Sequence, residues 1–387
     1  MNLNNGRTMN LVFVRTKTES TVFAHGELSN GALGSAALQH MKISAKAGSS
    51  SKNVIHGLKH YNLVAQFEEW KFWSGPFKAL ESDGAGAGAW PVKLFPCKEA
   101  LTSEALTQYI YEHGQPEILW VEGPDFPAYL EQIFDLCPNS FKIVYSKDWR
   151  PWRIAQLDEY DLCLVDEEWE VAEVAKYHPR VQCAIWDKLI DYEQTHFPLA
   201  CEKIYDVCYV AYLRPRKNHE LLFHALAKVK DRKLSCVCVG DDRKGNRAEL
   251  EKLAAALEIN VHFTGEVSKA EVNRYVNQSK IGVMCTVLDA APRAILEYLA
   301  ADVPVLVNAE LWAGARYVGP AAGLVKSPEE FHLGLAELVE NFRSYSPRAY
   351  LLQSYSFEKV MNRLVNTLLQ AGLSSASSLA REIRHEQ

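Results

Sequence analysis

No run in this chain approaches the roughly eighteen consecutive apolar residues that a membrane-crossing helix requires. Its polar start, Met1 to Thr8, also lacks the charged-then-apolar layout of a secretion signal. These absences point to a soluble, cytoplasmic protein and leave peripheral membrane contact open. Positive charge is not in excess: 42 Lys and Arg stand against 48 Asp and Glu, a formal net charge of -6. That balance argues against a protein that works by coating phosphate backbones, so nucleic acid is not an expected partner. Paired metal-ligand spacing is missing among the nine cysteines, and there is no Asp-x-Asp motif. Most cysteines lie inside apolar runs such as Val207-Cys208-Tyr209 and Ser235-Cys236-Val237-Cys238-Val239, where they read as small core residues in a reducing compartment. Neither a metal nor a cofactor is expected.

What is present is globular. Hydrophobic residues make up 48% and charged residues 23% of 387 positions, enough chain for two domains of ordinary size. From Asp206 onward short β-branched runs alternate with amphipathic stretches, as a parallel sheet with crossover helices requires. Strands are expected at 207–213, 234–239, 261–263, 280–287 and 303–307. Helical spacing follows Leu221, recurs from Leu250, and begins again at Ser268, where Glu271 three residues on makes a capping box. This half reads as a doubly wound α/β unit. In the first half, buried strands fit 10–14, 117–121, 141–145, 161–165 and 181–186, while 39–100 reads as loops. The Gly84 to Ala89 tract follows no strand, and Trp90-Pro91 prevents a helix after it, so it is not taken as a dinucleotide fingerprint. Trp70, Phe72 and Trp73 are expected in the core. A boundary is expected between Thr195 and Glu202, and the tail from Ser374 reads as mobile.

Two segments carry chemistry. Tyr212-Leu213-Arg214-Pro215-Arg216-Lys217-Asn218 places three basic side chains between a strand end and a helix start, where an anion meets unsatisfied amides and a partial positive charge. Asp289-Ala290-Ala291-Pro292-Arg293-Ala294-Ile295-Leu296-Glu297 brackets a second helix start with two carboxylates. Its alanines would let backbone amides approach a phosphate, proline at the first helical turn costs no hydrogen bond, and carboxylates suit polyols. The plainer alternatives are a solvated basic loop, and a carboxylate pair in which Asp289 caps the helix and Glu297 makes a surface ion pair.

In order and spacing these segments resemble glycosyltransferase family four, together with Val239-Gly240, Phe263-Thr264-Gly265-Glu266-Val267 and Val303-Pro304-Val305. That resemblance implies the GT-B fold: two Rossmann-like doubly wound domains facing a central cleft, with the C-terminal helix crossing back. The expected parts are an acceptor-side domain at 9–198, a donor domain at 203–355, the returning helix at 356–373 and a tail at 374–387. The implied activity is retaining transfer of a sugar from a nucleotide-diphosphate-sugar donor to a carbohydrate, lipid-linked or small-molecule acceptor. Lys217, Arg216 and Asp289 would be catalytic. Arg214, Asn218, Gly240, Gly265, Glu266, Val267, Ala290, Ala291, Pro292, Arg293 and Glu297 would hold the donor, with Lys217 on the diphosphate, Asp289 on the sugar and Glu297 on the ribose. Gly31, Gly34 and Asp148 would face the sugar or acceptor.

The sequence departs from the family pattern at Ala211 and Tyr212, where glycine and arginine are common, and at Ala290 and Asp302, where glycine is common. No histidine follows the strand at 141–145. Two other readings stay in view: a non-catalytic GT-B module that binds a nucleotide-sugar or a partner enzyme, and a nucleotide-sugar epimerase.

Overall fold

The structure is a computed structural model that describes residues 9–15, 58, 64–73, 76–81, 91–96, 102–122, 128–145, 150–154, 156–229, 233–242 and 245–373. The chain divides into two compact units. One runs to Trp186 and takes up the chain again from Met361; the other is Asp187–Val360. Gly31, Gly34, Asp148, the 84–89 tract and the tail from Ser374 lie outside the described residues.

The first unit holds an eight-stranded sheet in the order β3-β4-β2-β1-β5-β6-β7-β8. Its strands are β1 (Met9–Arg15), β2 (Val64–Trp73), β3 (Lys78–Glu81), β4 (Pro91–Pro96), β5 (Ile118–Glu122), β6 (Phe141–Tyr145), β7 (Leu162–Val165) and β8 (Gln182–Ile185). All neighbouring pairs are parallel except β3 with β4. Helices α1 (Glu104–His113), α2 (Ala128–Leu136) and α3 (Glu168–Tyr177) connect the later strands. The core centres on Trp70, Phe72, Phe95, Leu119, Val121, Val144 and Cys163.

The expectation of loops across 39–100 is corrected by β2, β3 and β4. Ionic residues interrupt the hydrophobic run of β2 and hide it, yet they are matched locally. Glu68 accepts hydrogen bonds at 2.8 Å from the Tyr109 hydroxyl and at 3.1 Å from the Trp70 indole. Lys71 lies 3.7 Å from buried Glu69. Trp70 and Phe72 are buried, as expected of core residues.

The second unit is a six-stranded, wholly parallel sheet in the order β11-β10-β9-β12-β13-β14. Strands β9 (Tyr205–Val210), β10 (Ser235–Val239), β11 (Asn260–Phe263), β12 (Ser279–Met284), β13 (Val305–Asn308) and β14 (Gly323–Lys326) alternate with helices. Those helices are α4 (His219–Lys228), α5 (Arg247–Ala256), α6 (Lys269–Asn277), α7 (Arg293–Ala300), α8 (Phe331–Asn341) and α9 (Pro347–Tyr355). The Ser268 and Glu271 capping box forms at the start of α6. A last helix, α10 (Phe357–Gln370), spans the division between the units, and its residues from Met361 group with the first.

The first unit ends at Trp186, ahead of the boundary expected at 195–202, because the segment after Trp186 is bonded throughout to the second sheet's helices and loops. Asp187 pairs with Arg316 at 2.5 Å, and the Lys188 amide donates to the Tyr317 hydroxyl at 3.0 Å. The Phe197 amide donates to Asn273 at 3.3 Å and the Leu199 amide to Asn277 at 2.7 Å.

Strand order reverses between β9 and β12, and the two strands part there. Their ladder ends at Cys208 opposite Gly282, whereas β9 continues against β10 as far as Val210 opposite Val239. The hydroxyl of Tyr298, on α7, fills the gap: it accepts from the Val210 amide at 2.7 Å and donates to the Cys208 carbonyl at 3.2 Å. Gly282 makes room for the phenol, since a Cβ there would strike its ring. Tyr298 is fully buried, so Tyr298→Phe leaves an amide and a carbonyl short of a partner without changing the packing. The substitution is expected to lower stability by about 1–3 kcal/mol, measured by urea unfolding; a change within about 0.5 kcal/mol would contradict this.

Candidate functional site

The carboxyl edge of the second sheet, at the point where strand order reverses, is where doubly wound sheets form a ligand crevice. Here it is built from the segment after β9 and the segment after β12. After β9 the chain does not pass straight into a helix. Pro215–Lys217 form a single 3-10 turn, and Asn218 adopts a left-handed conformation with φ 54° to cap α4, its side chain accepting from the Leu221 amide at 3.3 Å. Asparagine tolerates that conformation better than most residues.

The turn is bonded to the second segment at several points. The Asn218 side chain donates to the Cys285 carbonyl at 3.3 Å, and the Thr286 hydroxyl donates to the Arg216 carbonyl at 2.8 Å. Tyr209 donates to the Lys217 carbonyl at 2.5 Å. With the backbone held this way, the Lys217 ammonium pairs directly with the Asp289 carboxylate.

Neither plain alternative for the carboxylates describes this arrangement. No side chain caps α7: its cap position is Pro292 itself, one residue ahead of the helix, rather than a proline within the first turn. Asp289 is bonded to Lys217 instead. Glu297 does not pair on the open surface; it faces buried His196 at 3.6 Å, and its own side chain is 20% exposed. Between the carboxylates, Ala291 holds φ 43°, a left-handed conformation unusual for alanine. Gly314 backs this bend, since a Cβ there would lie 3.0 Å from the Ala291 Cα and 3.1 Å from the Pro292 ring.

The remaining expected donor residues lie along the same edge. Gly240 directly follows β10 and bridges Gly265, just beyond β11. A Cβ at Gly240 would run into the Ala211 carbonyl, whereas Gly265 has open space beside it and φ 74°. Glu266 and Val267 follow Gly265, with Val267 packed on the core. Arg214 lies over the Tyr212 ring at 5.2 Å, and Tyr212 is 45% exposed. The structure therefore brings Arg214, Arg216, Lys217, Asn218, Gly240, Gly265 to Val267, Asp289 to Arg293 and Glu297 to one edge. Among the described residues no group of three or more His, Cys, Asp or Glu side chains is placed to hold a metal ion, and no helix is long and apolar enough to cross a membrane.

Residues 192–346 match the family model described as Glycosyl transferases group 1. This unit carries a glycosyltransferase group 1 domain. Sucrose-phosphate synthase from Thermosynechococcus elongatus is similar in fold, with TM-score 0.65, 13% identity, and coverage of 94% of this chain and 98% of that one. Anabaena HepE in complex with UDP gives TM-score 0.65 at 12% identity, covering 94% and 100%. The lipopolysaccharide outer core galactosyltransferase WaaB gives TM-score 0.65 at 14% identity, covering 94% and 99%. No match was found among curated protein sequences. The two parallel-sheet units have the GT-B fold.

Sequence reasoning missed two histidines. His219 opens α4 directly after Lys217 and Asn218, is buried, and has no partner on either ring nitrogen. Burial, reinforced by the nearby Lys217 charge, lowers its pKa to about 4. Its closeness in sequence to the basic turn was the available signal; burial on the sheet side of α4 was not legible. His196 precedes β9 and carried no motif.

The depressed His219 pKa makes stability depend on pH. Between the ordinary value near 6.5 and about 4, the unfolded chain takes up a proton that the folded unit refuses. Stability is therefore complete above about pH 6.5 and falls as pH drops toward 4, by roughly 3 kcal/mol from this group. Urea unfolding of wild type and His219→Phe between about pH 7 and about pH 4.5 should show a shallower decline in the variant; parallel declines would contradict the assignment.

Proposed function

We propose that this chain is a retaining glycosyltransferase of family four, moving a sugar from a nucleotide-diphosphate-sugar donor to a carbohydrate, lipid-linked or small-molecule acceptor. The observation that carries this reading is the Lys217–Asp289 pair at the strand-order reversal. A cation suited to a diphosphate and a carboxylate suited to sugar hydroxyls are held against one another, one beside the start of α4 and one ahead of α7. When the donor binds, its phosphates take over Lys217 and the transferred sugar takes over Asp289, so neither charge is left without a partner.

The other roles follow from position along the edge. Arg214, Arg216 and Asn218 border the phosphates, and the backbone of Ala290, Ala291, Pro292 and Arg293 brings the positive end of α7 toward them. Gly240 with Gly265, Glu266 and Val267 meets the base, and Glu297 meets the ribose. As the bond from the anomeric carbon to the diphosphate oxygen breaks, negative charge grows on the leaving group, and Lys217, Arg216 and the α7 amides stabilise it. Because these groups are already fixed, the stabilisation needs little rearrangement in the transition state. Retention rests on the family resemblance alone. The complexes of Anabaena HepE with UDP and with UDP-glucose make uridine nucleotides the first donors to try. A cytoplasmic setting is consistent with the free cysteines at 137, 163, 208, 236, 238 and 285, all of them buried.

Transfer from a panel of nucleotide-sugars, followed by product analysis, tests the assignment. Lys217→Ala is expected to lose on the order of 100-fold in rate, and Glu297→Ala to weaken donor use, with both variants folded. Near wild-type transfer by both would overturn the site. The nucleotide is identified by thermal shift: the right nucleoside diphosphate at about 100 times its Kd stabilises the protein by about 2.7 kcal/mol. Lack of any shift across UDP, GDP and ADP would favour a module that binds no nucleotide. A change in the donor sugar without any acceptor would favour an epimerase.

A further inference from the structure

Resting on the donor site above, we infer that His196 is a positioning residue that aims the Glu297 carboxylate at the donor ribose. His196 is not in the sheet or its helices. It lies in the segment leading to β9, and that segment is hydrogen-bonded on both sides of the histidine. Asp191 closes a turn ahead of it, accepting from the Glu193 amide at 3.2 Å, the Gln194 amide at 2.8 Å and the Thr195 hydroxyl at 3.0 Å. The His196 amide itself donates to the Asp191 carbonyl at 3.1 Å. On the other side, two buried asparagines of α6 clamp the next residues. Asn273 and Asn277 donate to the Phe197 carbonyl at 3.1 Å and 3.0 Å, while their side-chain oxygens accept from the Phe197 and Leu199 amides. Buried amide side chains satisfied on both edges hold a backbone in one place, and here that backbone sets the imidazole.

The chemistry of the ring gives the contact a direction. Nε2 lies 3.6 Å from Glu297 Oε1, while Nδ1 is buried without a partner. Glu297 favours the charged ring, but burial outweighs it and lowers the His196 pKa, with Lys269 and Arg293 adding to the effect and Asp191 opposing it. A neutral imidazole carries one N–H. Placing it on Nδ1 would bury a donor with nothing to accept it, whereas placing it on Nε2 points it at a carboxylate. The Nε2 tautomer therefore wins. The separation is too long for a hydrogen bond as it stands and closes with a small side-chain movement when ligand fixes Glu297. One carboxylate oxygen is then steadied by His196, leaving the other for the ribose hydroxyls.

The test compares UDP, GDP and ADP with their 2′,3′-dideoxy counterparts, by titration calorimetry on the full chain. Wild type should prefer the ribose form of the nucleotide it binds by about 10-fold or more, as expected for one charge-assisted hydrogen bond of at least 1.4 kcal/mol. In Glu297→Ala that ratio should collapse toward one. His196→Ala should narrow it several-fold by weakening only the ribose form, and His196→Gln, which keeps an N–H donor, should restore part of it. A purely structural histidine would weaken both forms alike. An unchanged ratio in a folded His196→Ala variant overturns the inference while leaving the donor site standing. Failure of the wild type to bind any of the three nucleotides overturns the donor site, and the inference with it.

Discussion

The geometry of the second unit depends on how β9 and β12 separate. A parallel sheet that reverses strand order must leave backbone groups of its central strands without a neighbour, and buried backbone groups cannot remain unpaired without a cost of about 1–3 kcal/mol each. Here a side chain from α7 supplies the partner: the Tyr298 hydroxyl bonds both the Val210 amide and the Cys208 carbonyl. The same contact fixes α7 against β9. Since Glu297 is the preceding residue and the start of α7 follows Asp289, the distance from the basic turn to both carboxylates is set by one phenol and by the glycine, Gly282, that admits it.

The charges at this edge are arranged around that frame. Lys217 and Asp289 neutralise one another at the reversal point. Two histidines of this unit, His219 after the basic turn and His196 facing Glu297, are disfavoured as charged rings by burial. Burial in an apolar setting, with the Lys217 charge beside it, disfavours a charged His219, which is why the ring gives up its proton near pH 4, well below the ordinary value of about 6.5. Rigidity has a parallel origin: Asn218, Thr286 and Tyr209 hold the carbonyls and turns that support Lys217.

Much of this was legible in the sequence. Five of the six strands of the second sheet could be read, because β9, β10, β12 and β13 are short apolar runs with buried centres and helical repeats separate the strands; β14, half exposed, was not among the expected strands. The two motif segments fall at one edge because strand order, once parallel and doubly wound, leaves them no other place. One departure from the family pattern also has a local account. Asp302 holds φ 59° where glycine is common, and its carboxylate accepts from the Arg348 amide at 3.0 Å. Less was legible in the first half, where matched ionic side chains disguise β2. His196 escaped notice because its role depends on Asn273 and Asn277, an i, i+4 pair that reads as an ordinary polar helix face and is in fact buried against the segment from Phe197 to Leu199.

A crystal structure of the chain with a bound nucleoside diphosphate tests the placement of the donor most directly. The diphosphate should lie within hydrogen-bond distance of Lys217 Nζ and of the backbone amides at the start of α7, with the Lys217–Asp289 pair opened. A diphosphate bound elsewhere, with that pair intact, would contradict it.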